Sequence, residues 1–128
     1  MSGALKAAAD KVARELQLDP HWLNTGPADQ VLAGLPEGFL SRLTRYEYGP
    51  CLTIFYPDRF DLIHLKLFAI VDQGAGRHVR DLASLQPTDA ELTLAARWVL
   101  TQDVGEVFPQ IVHNTLTSLG YGHLTKRL

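Results

Sequence analysis

Lys66 is the residue that most needs a chemical explanation. It stands in DLIHLKLFAI with Leu62, Ile63, Leu67 and Ile70 around it. A lysine among apolar neighbours either carries its ammonium out to water on its long stem or is kept there for a charge partner. Arg77 and Asp81 follow at a spacing of four, which on a helix makes an exposed ion pair worth roughly 0.3 kcal/mol. The five histidines, His21, His64, His78, His113 and His123, include no i, i+4 pair with an accompanying carboxylate, so no metal site is expected. His64 falls between Phe68 and Val71 on a helical wheel and reads as a hydrogen-bonded core histidine. Cys51, the single cysteine, excludes an intrachain disulfide and a cysteine-based zinc site, and reads as a small apolar filler rather than a nucleophile. A Gly-rich phosphate loop, HExxH and GxSxG are all absent.

The elements that must position these residues follow from periodicity and punctuation. From Phe60 to Val71 nearly every position is apolar, which predicts a core helix; Asp58 caps it, Asp61 adds a favourable negative charge to its first turn, and Gly74 and Gly76 end it. A shorter helix from about Arg77 to Gln86 carries Val79, Leu82 and Leu85 at helical spacing, and Pro87 stops it. Upstream, Ser2 to Leu18 predicts a helix with a narrow stripe of Leu5, Ala9, Val12 and Leu16. Asp19 and Pro20 then start a single helical turn through His21, Trp22, Leu23 and Asn24, which Asn24 closes. A short amphipathic segment at 28–35 and a turn at Pro36-Glu37-Gly38 follow. Leu43 to Tyr48 and Cys51 to Tyr56 are roughly alternating, β-branched and aromatic around Gly49-Pro50, the pattern of a β-hairpin. An isolated hairpin is marginal in water, so these strands are expected to pack on helices or join a larger sheet.

Thr88 and Glu91 form a capping box for a helix to about Gln102, with Leu92, Ala95, Ala96 and Val99 on one face and Leu94 and Trp98 widening it. The last helix, Glu106 to Leu119, presents Phe108, Ile111, Val112, Leu116 and Leu119, with Pro109 in its first turn and Gly120 as its C-terminal cap. The closing YGHLTKRL lacks periodicity and is expected to fray. Trp22 and Trp98 read as core or staple residues. The fold class is therefore a mostly helical α+β domain, residues 1–128, with five or six helices around the central one and one short antiparallel hairpin.

Twelve basic and fourteen acidic residues give a net charge of −2, scattered along the chain. Nucleic acid and anionic membranes are thus not indicated as partners. No apolar run approaches the roughly 18 residues that span a bilayer, and the first residues lack a secretory core, so a cytoplasmic location is expected.

One order of motifs points further. WLN, a hydrophobic strand, DLIHLKLFAI, a glycine-containing turn, RHVRDLASL and PTDAELTLAARWVLTQD follow one another from about Val12 to Gly120. That succession resembles the C-terminal two-thirds of bacterial nucleotidyltransferase-like proteins related to the AbiEii-type toxins of abortive-infection and toxin–antitoxin systems. The resemblance implies the C-terminal part of a nucleotidyltransferase fold, and a nucleotide-binding role for Lys66, whose counterpart faces the phosphates. It also implies a site role for Arg77 and Asp81, which match an RDxxDL pattern in which His78 replaces the usual aspartate.

Nucleotidyl transfer needs carboxylates that hold Mg²⁺ against the triphosphate. The family supplies them from a Gly-Ser or Gly-Gly element and a DxD upstream of WLN, and neither occurs here. No catalytic residue or resident cofactor is therefore expected. The chain reads as an incomplete nucleotidyltransferase, inert alone, that acts as a binding or assembly module, as a homodimer or with a partner protein, through the open edge of its hairpin. The alternative is half of a composite Mg²⁺-dependent enzyme using a nucleoside triphosphate, with its carboxylates on another polypeptide or encoded upstream.

Overall fold

The computed structural model describes residues 1–24 and 34–128. The chain divides into two compact units, residues 1–34 and 35–128. The amphipathic segment expected at 28–35 lies almost wholly outside the described residues.

In the first unit, helix α1 spans Gly3–Leu16. The Ser2 hydroxyl accepts from the Leu5 amide at its start, and Gln17 ends it in the left-handed conformation. Ala9 and Ala13 are its buried residues, whereas Leu5 and Leu16 are exposed, so only part of the expected stripe is used. Small residues are buried because the Trp22 indole reaches back and donates its Nε1–H to the Ala9 carbonyl at 3.0 Å. Trp22 is placed by a tight turn in which its amide bonds the Asp19 carbonyl, the Asp19 carboxylate caps the His21 amide, and Asn24 donates to the His21 carbonyl.

The second unit is mostly helical, with a single two-stranded antiparallel sheet among the described residues. Strands β1 (Thr44–Tyr48) and β2 (Leu52–Tyr56) pair with Tyr46 opposite Ile54 and Tyr48 opposite Leu52. The helices are α2 (Arg59–Gln73), α3 (Arg77–Ser84), α4 (Asp89–Leu100) and α5 (Phe108–Ser118). A 3₁₀ helix, Leu40–Arg42, precedes the hairpin, and another, Gly122–Arg127, follows α5.

Helix α2 is central. Ile63, His64, Leu67, Ile70 and Val71 form its buried arc and pack with Leu82 of α3, Leu92, Ala95, Ala96 and Val99 of α4, and Val112 and Leu116 of α5. The alanines of α4 let the helix axes approach closely, and the expected capping box of Thr88 and Glu91 is complete. Leu94, expected on the buried face of α4, is exposed instead, as is Ile111 of α5. At the end of α5, Gly120 (φ 91°) allows the Tyr121 amide to bond the Leu116 carbonyl at 2.8 Å and the Gly120 amide to bond that of Thr117. This turn folds the chain back, so the C-terminus does not fray as expected. Leu124 is fully buried in the core, and Arg97 donates to the Arg127 carbonyl at 2.7 Å.

Two arginines tie the frame together across long sequence distances. Arg59 at the start of α2 bonds Glu91 of α4 and the carbonyls of Leu85 and Gln86, the end of α3. Arg42 reaches Asp61 through two hydrogen bonds, Nη2 to Oδ1 at 2.6 Å and Nε to Oδ2 at 2.8 Å, and stacks over the Phe60 ring. Asp61 therefore does more than charge the first turn of α2. Asp58 alone caps that helix, accepting from the Phe60 amide, while Asp61 is a fully buried anion with one guanidinium as its partner. No helix among the described residues is long and apolar enough to cross a membrane.

Truncating Arg42 strands a buried carboxylate, which typically costs about 3 kcal/mol or more. Arg42→Ala is expected to lose that much in chemical denaturation. The double variant Arg42→Ala/Asp61→Asn is expected to recover part of the loss, because it removes the uncompensated charge.

Candidate functional site

The site implied for nucleotide binding assembles across the α2–α3 turn. Lys66 lies on the flank of α2, where its stem covers apolar surface and its ammonium emerges beside α3. Gly74 (φ 84°) and Gly76 turn the chain so that Asp81, one helical turn into α3, faces that ammonium. Lys66 Nζ donates to Asp81 Oδ2 at 2.8 Å and approaches His78 Nδ1 at 3.5 Å. Lys66 therefore stands in an apolar helix with a charge partner, the second of the two explanations its neighbours allow.

Arg77 does not pair with Asp81, contrary to the spacing-based expectation. Asp81 takes Lys66, and Arg77 makes no ion pair among the described residues. The reason is geometric: α3 begins at Arg77 and turns Asp81 inward towards α2, while Arg77 is exposed. The hydrogen bond from Lys66 holds the Asp81 carboxyl below its ordinary 3.8, and partial burial together with the Lys66 charge lowers His78. The structure thus brings Lys66, His78 and Asp81 together and leaves Arg77 at the rim. As it stands the cluster is a closed ion pair with a neutral imidazole beside it, and an incoming phosphate would have to displace the Asp81 carboxylate.

His64 is a core histidine, as its position predicts. Its Nδ1 donates to the Phe60 carbonyl at 2.8 Å, which fixes the neutral tautomer, and its ring contacts Phe60 and Trp98, the latter also meeting Phe68. Burial lowers its pKa from the ordinary 6.5. Among the described residues, no group of three His, Cys, Asp or Glu side chains could hold a metal ion.

A second surface is more unusual, and it runs against the expectation of a packed hairpin. All ten residues of β1 and β2 are exposed, so the strands do not pack on the helices. Cys51, expected as an apolar filler, lies exposed in the hairpin turn. The register puts Thr44, Tyr46, Tyr48, Leu52, Ile54 and Tyr56 on one face, and Arg45, Glu47, Thr53 and Phe55 on the other. Tyr46, Tyr48, Leu52, Ile54 and Tyr56 are 37–52% exposed, and the rings of Tyr46 and Tyr48 stand 4.5 Å apart. The alternation announces two different faces, but exposure on both is read only from the folded chain.

Set against models of known protein families, curated proteins and solved structures, the chain matches none.

Two outcomes test this description. Asp81→Asn is expected to lower stability by about 0.5–1 kcal/mol at low salt and by less in concentrated salt, because the pair is partly solvated. A double-mutant cycle with Lys66→Met measures the coupling. His64 and His78 both have lowered pKa values, so their neutral forms stabilise the fold above the ordinary 6.5. That contribution is lost as the pH falls below 6.5 towards the lowered folded-state values. Denaturation midpoints are accordingly expected to drop between about pH 7 and pH 5, and the drop should be smaller in His64→Gln.

Proposed function

We propose that this chain is a cytoplasmic binding or assembly module on an incomplete nucleotidyltransferase-like frame, without catalytic activity of its own, and that it docks its partner through the β1–β2 hairpin. One observation carries the reading. The helical core closes around α2 without any strand residue, while the hairpin presents five large apolar or aromatic side chains to solvent on one face. A contiguous exposed apolar patch of this kind marks interaction surfaces. The unpaired outer backbone of each strand adds hydrogen-bonding capacity, and pairing at a sheet edge is a general recognition mode. The exposed, unpaired Cys51 suits a reducing compartment.

The alternative, half of a composite Mg²⁺-dependent nucleotidyltransferase of toxin–antitoxin type, needs Lys66 for phosphate. Its ammonium is engaged by Asp81, which weighs against that reading.

Tyr46→Ser/Ile54→Ser is expected to leave the unfolding of the helical core within about 0.5 kcal/mol of wild type, as for exposed positions. Collapse of the helical fold in this variant would make the hairpin a core element and sink the proposal. Calorimetric titration with ATP, CTP, GTP and UTP, each with Mg²⁺, is expected to show no binding. Binding that disappears in Lys66→Ala would instead favour the composite enzyme.

A further inference from the structure

The outer edge of β1 is complementary to itself. Its sequence is Thr44-Arg45-Tyr46-Glu47-Tyr48, with a cation and an anion placed symmetrically about Tyr46. Arg45 and Glu47 share one face of the hairpin, where Arg45 Nη2 and Glu47 Oε1 are 2.6 Å apart, and both side chains are about 60% exposed. If two copies of β1 align antiparallel about a two-fold axis at Tyr46, Arg45 of each copy falls opposite Glu47 of the other. Thr44 then falls opposite Tyr48, and Tyr46 meets its own symmetry mate.

Directly opposed side chains in an antiparallel pair lie about 5 Å apart at Cβ, within reach of an ion pair. The four charges would alternate in sign on one face of a four-stranded sheet. On the other face, Tyr46 and Tyr48 of both copies would form one continuous aromatic row. Shifting the register by one residue would put the charges of one copy on the tyrosine face of the other, so the charge pattern selects a single alignment. The opposite edge, Leu52 to Tyr56, carries no charge and specifies no such register.

Resting on the docking role of the hairpin, we infer that its partner is a second copy of this chain, joined through β1 into a two-fold symmetric four-stranded sheet with reciprocal Arg45–Glu47 pairs. The interface is isologous, as a two-fold dimer requires. A five-residue edge buries less than the roughly 1,200 Å² of stable complexes, so the dimer is reversible and forms in the micromolar range. Its charged pairs lie at the surface, so added salt weakens it.

Sedimentation equilibrium on the full chain tests the inference. Wild type is expected to show a monomer–dimer equilibrium at tens of micromolar. Arg45→Glu alone sets carboxylate against carboxylate across the two-fold axis, and Glu47→Arg alone sets guanidinium against guanidinium; each is expected to weaken self-association about tenfold or more. An equimolar mixture of the two variants restores an attractive arrangement, acidic strand against basic strand, and is expected to form heterodimers. The double variant Arg45→Glu/Glu47→Arg is expected to dimerise like wild type. Both positions are exposed, and unchanged thermal unfolding would establish that each variant is folded. A strict monomer at tens of micromolar, a dimer indifferent to either single reversal, or a mixture that fails to reassociate would overturn the inference. None of these results bears on the core stability of Tyr46→Ser/Ile54→Ser, so the docking role of the hairpin stands or falls separately.

Discussion

Asp61 is the residue on which the arrangement of the second unit turns. A carboxylate with no exposed surface must be compensated, and Arg42 compensates it with a two-pronged contact at 2.6 and 2.8 Å. Arg42 ends the 3₁₀ helix just before β1, and Asp61 sits in the first turn of α2 just after β2. The pair therefore grips both legs of the hairpin at its base. Arg42 also donates to the Glu37 carbonyl and lies over Phe60, which leaves the guanidinium little freedom. With its base held, a two-stranded hairpin need not bury a face to keep its position. That accounts for a hairpin whose strands are exposed throughout, where strand chemistry alone would demand a covering layer.

The remainder of the unit makes such exposure tolerable. Arg59 joins the starts of α2 and α4 to the end of α3, and the C-terminal 3₁₀ helix drops Leu124 into the core beside α5. The core is closed by helices alone, so the hairpin is free of any structural duty beyond its own pairing. Apolar surface retained under those conditions points to recognition. The Lys66–Asp81 pair belongs to the same frame: it bridges α2 and α3 across their glycine turn and consumes the charge that a phosphate site would need.

The local elements are largely legible in the sequence. α2 with its Asp58 cap, the capping box of α4, Pro109 at the start of α5 and the strand pair all fall close to where periodicity and turn residues place them, because each is decided by neighbours within a few positions. The candidate site is legible in part. Lys66 stands out as a charge in an apolar helix and Asp81 alongside it, but spacing within α3 offers Asp81 the wrong partner, Arg77. The Arg42–Asp61 pair leaves almost no trace in the sequence. Asp61 has a sufficient local explanation in the dipole of α2, and the only hint against it is that Asp58 already serves as the cap.

What the chain determined by itself was its list of helices and strands, the apolar faces of α2 and α4, and the alternating charge pattern of β1. These are properties of short windows, set by backbone sterics, capping and side-chain periodicity. What only the tertiary structure decided was which charges meet and which faces are covered. Lys66 and Asp81 are 15 positions apart, Arg42 and Asp61 are 19 and Arg59 and Glu91 are 32, and no local rule pairs residues across such distances. Burial is likewise a collective outcome. Leu124 is inside and Tyr46 outside, although both are apolar enough for either place, because the helices close their core with the tail and leave the clamped hairpin in solvent.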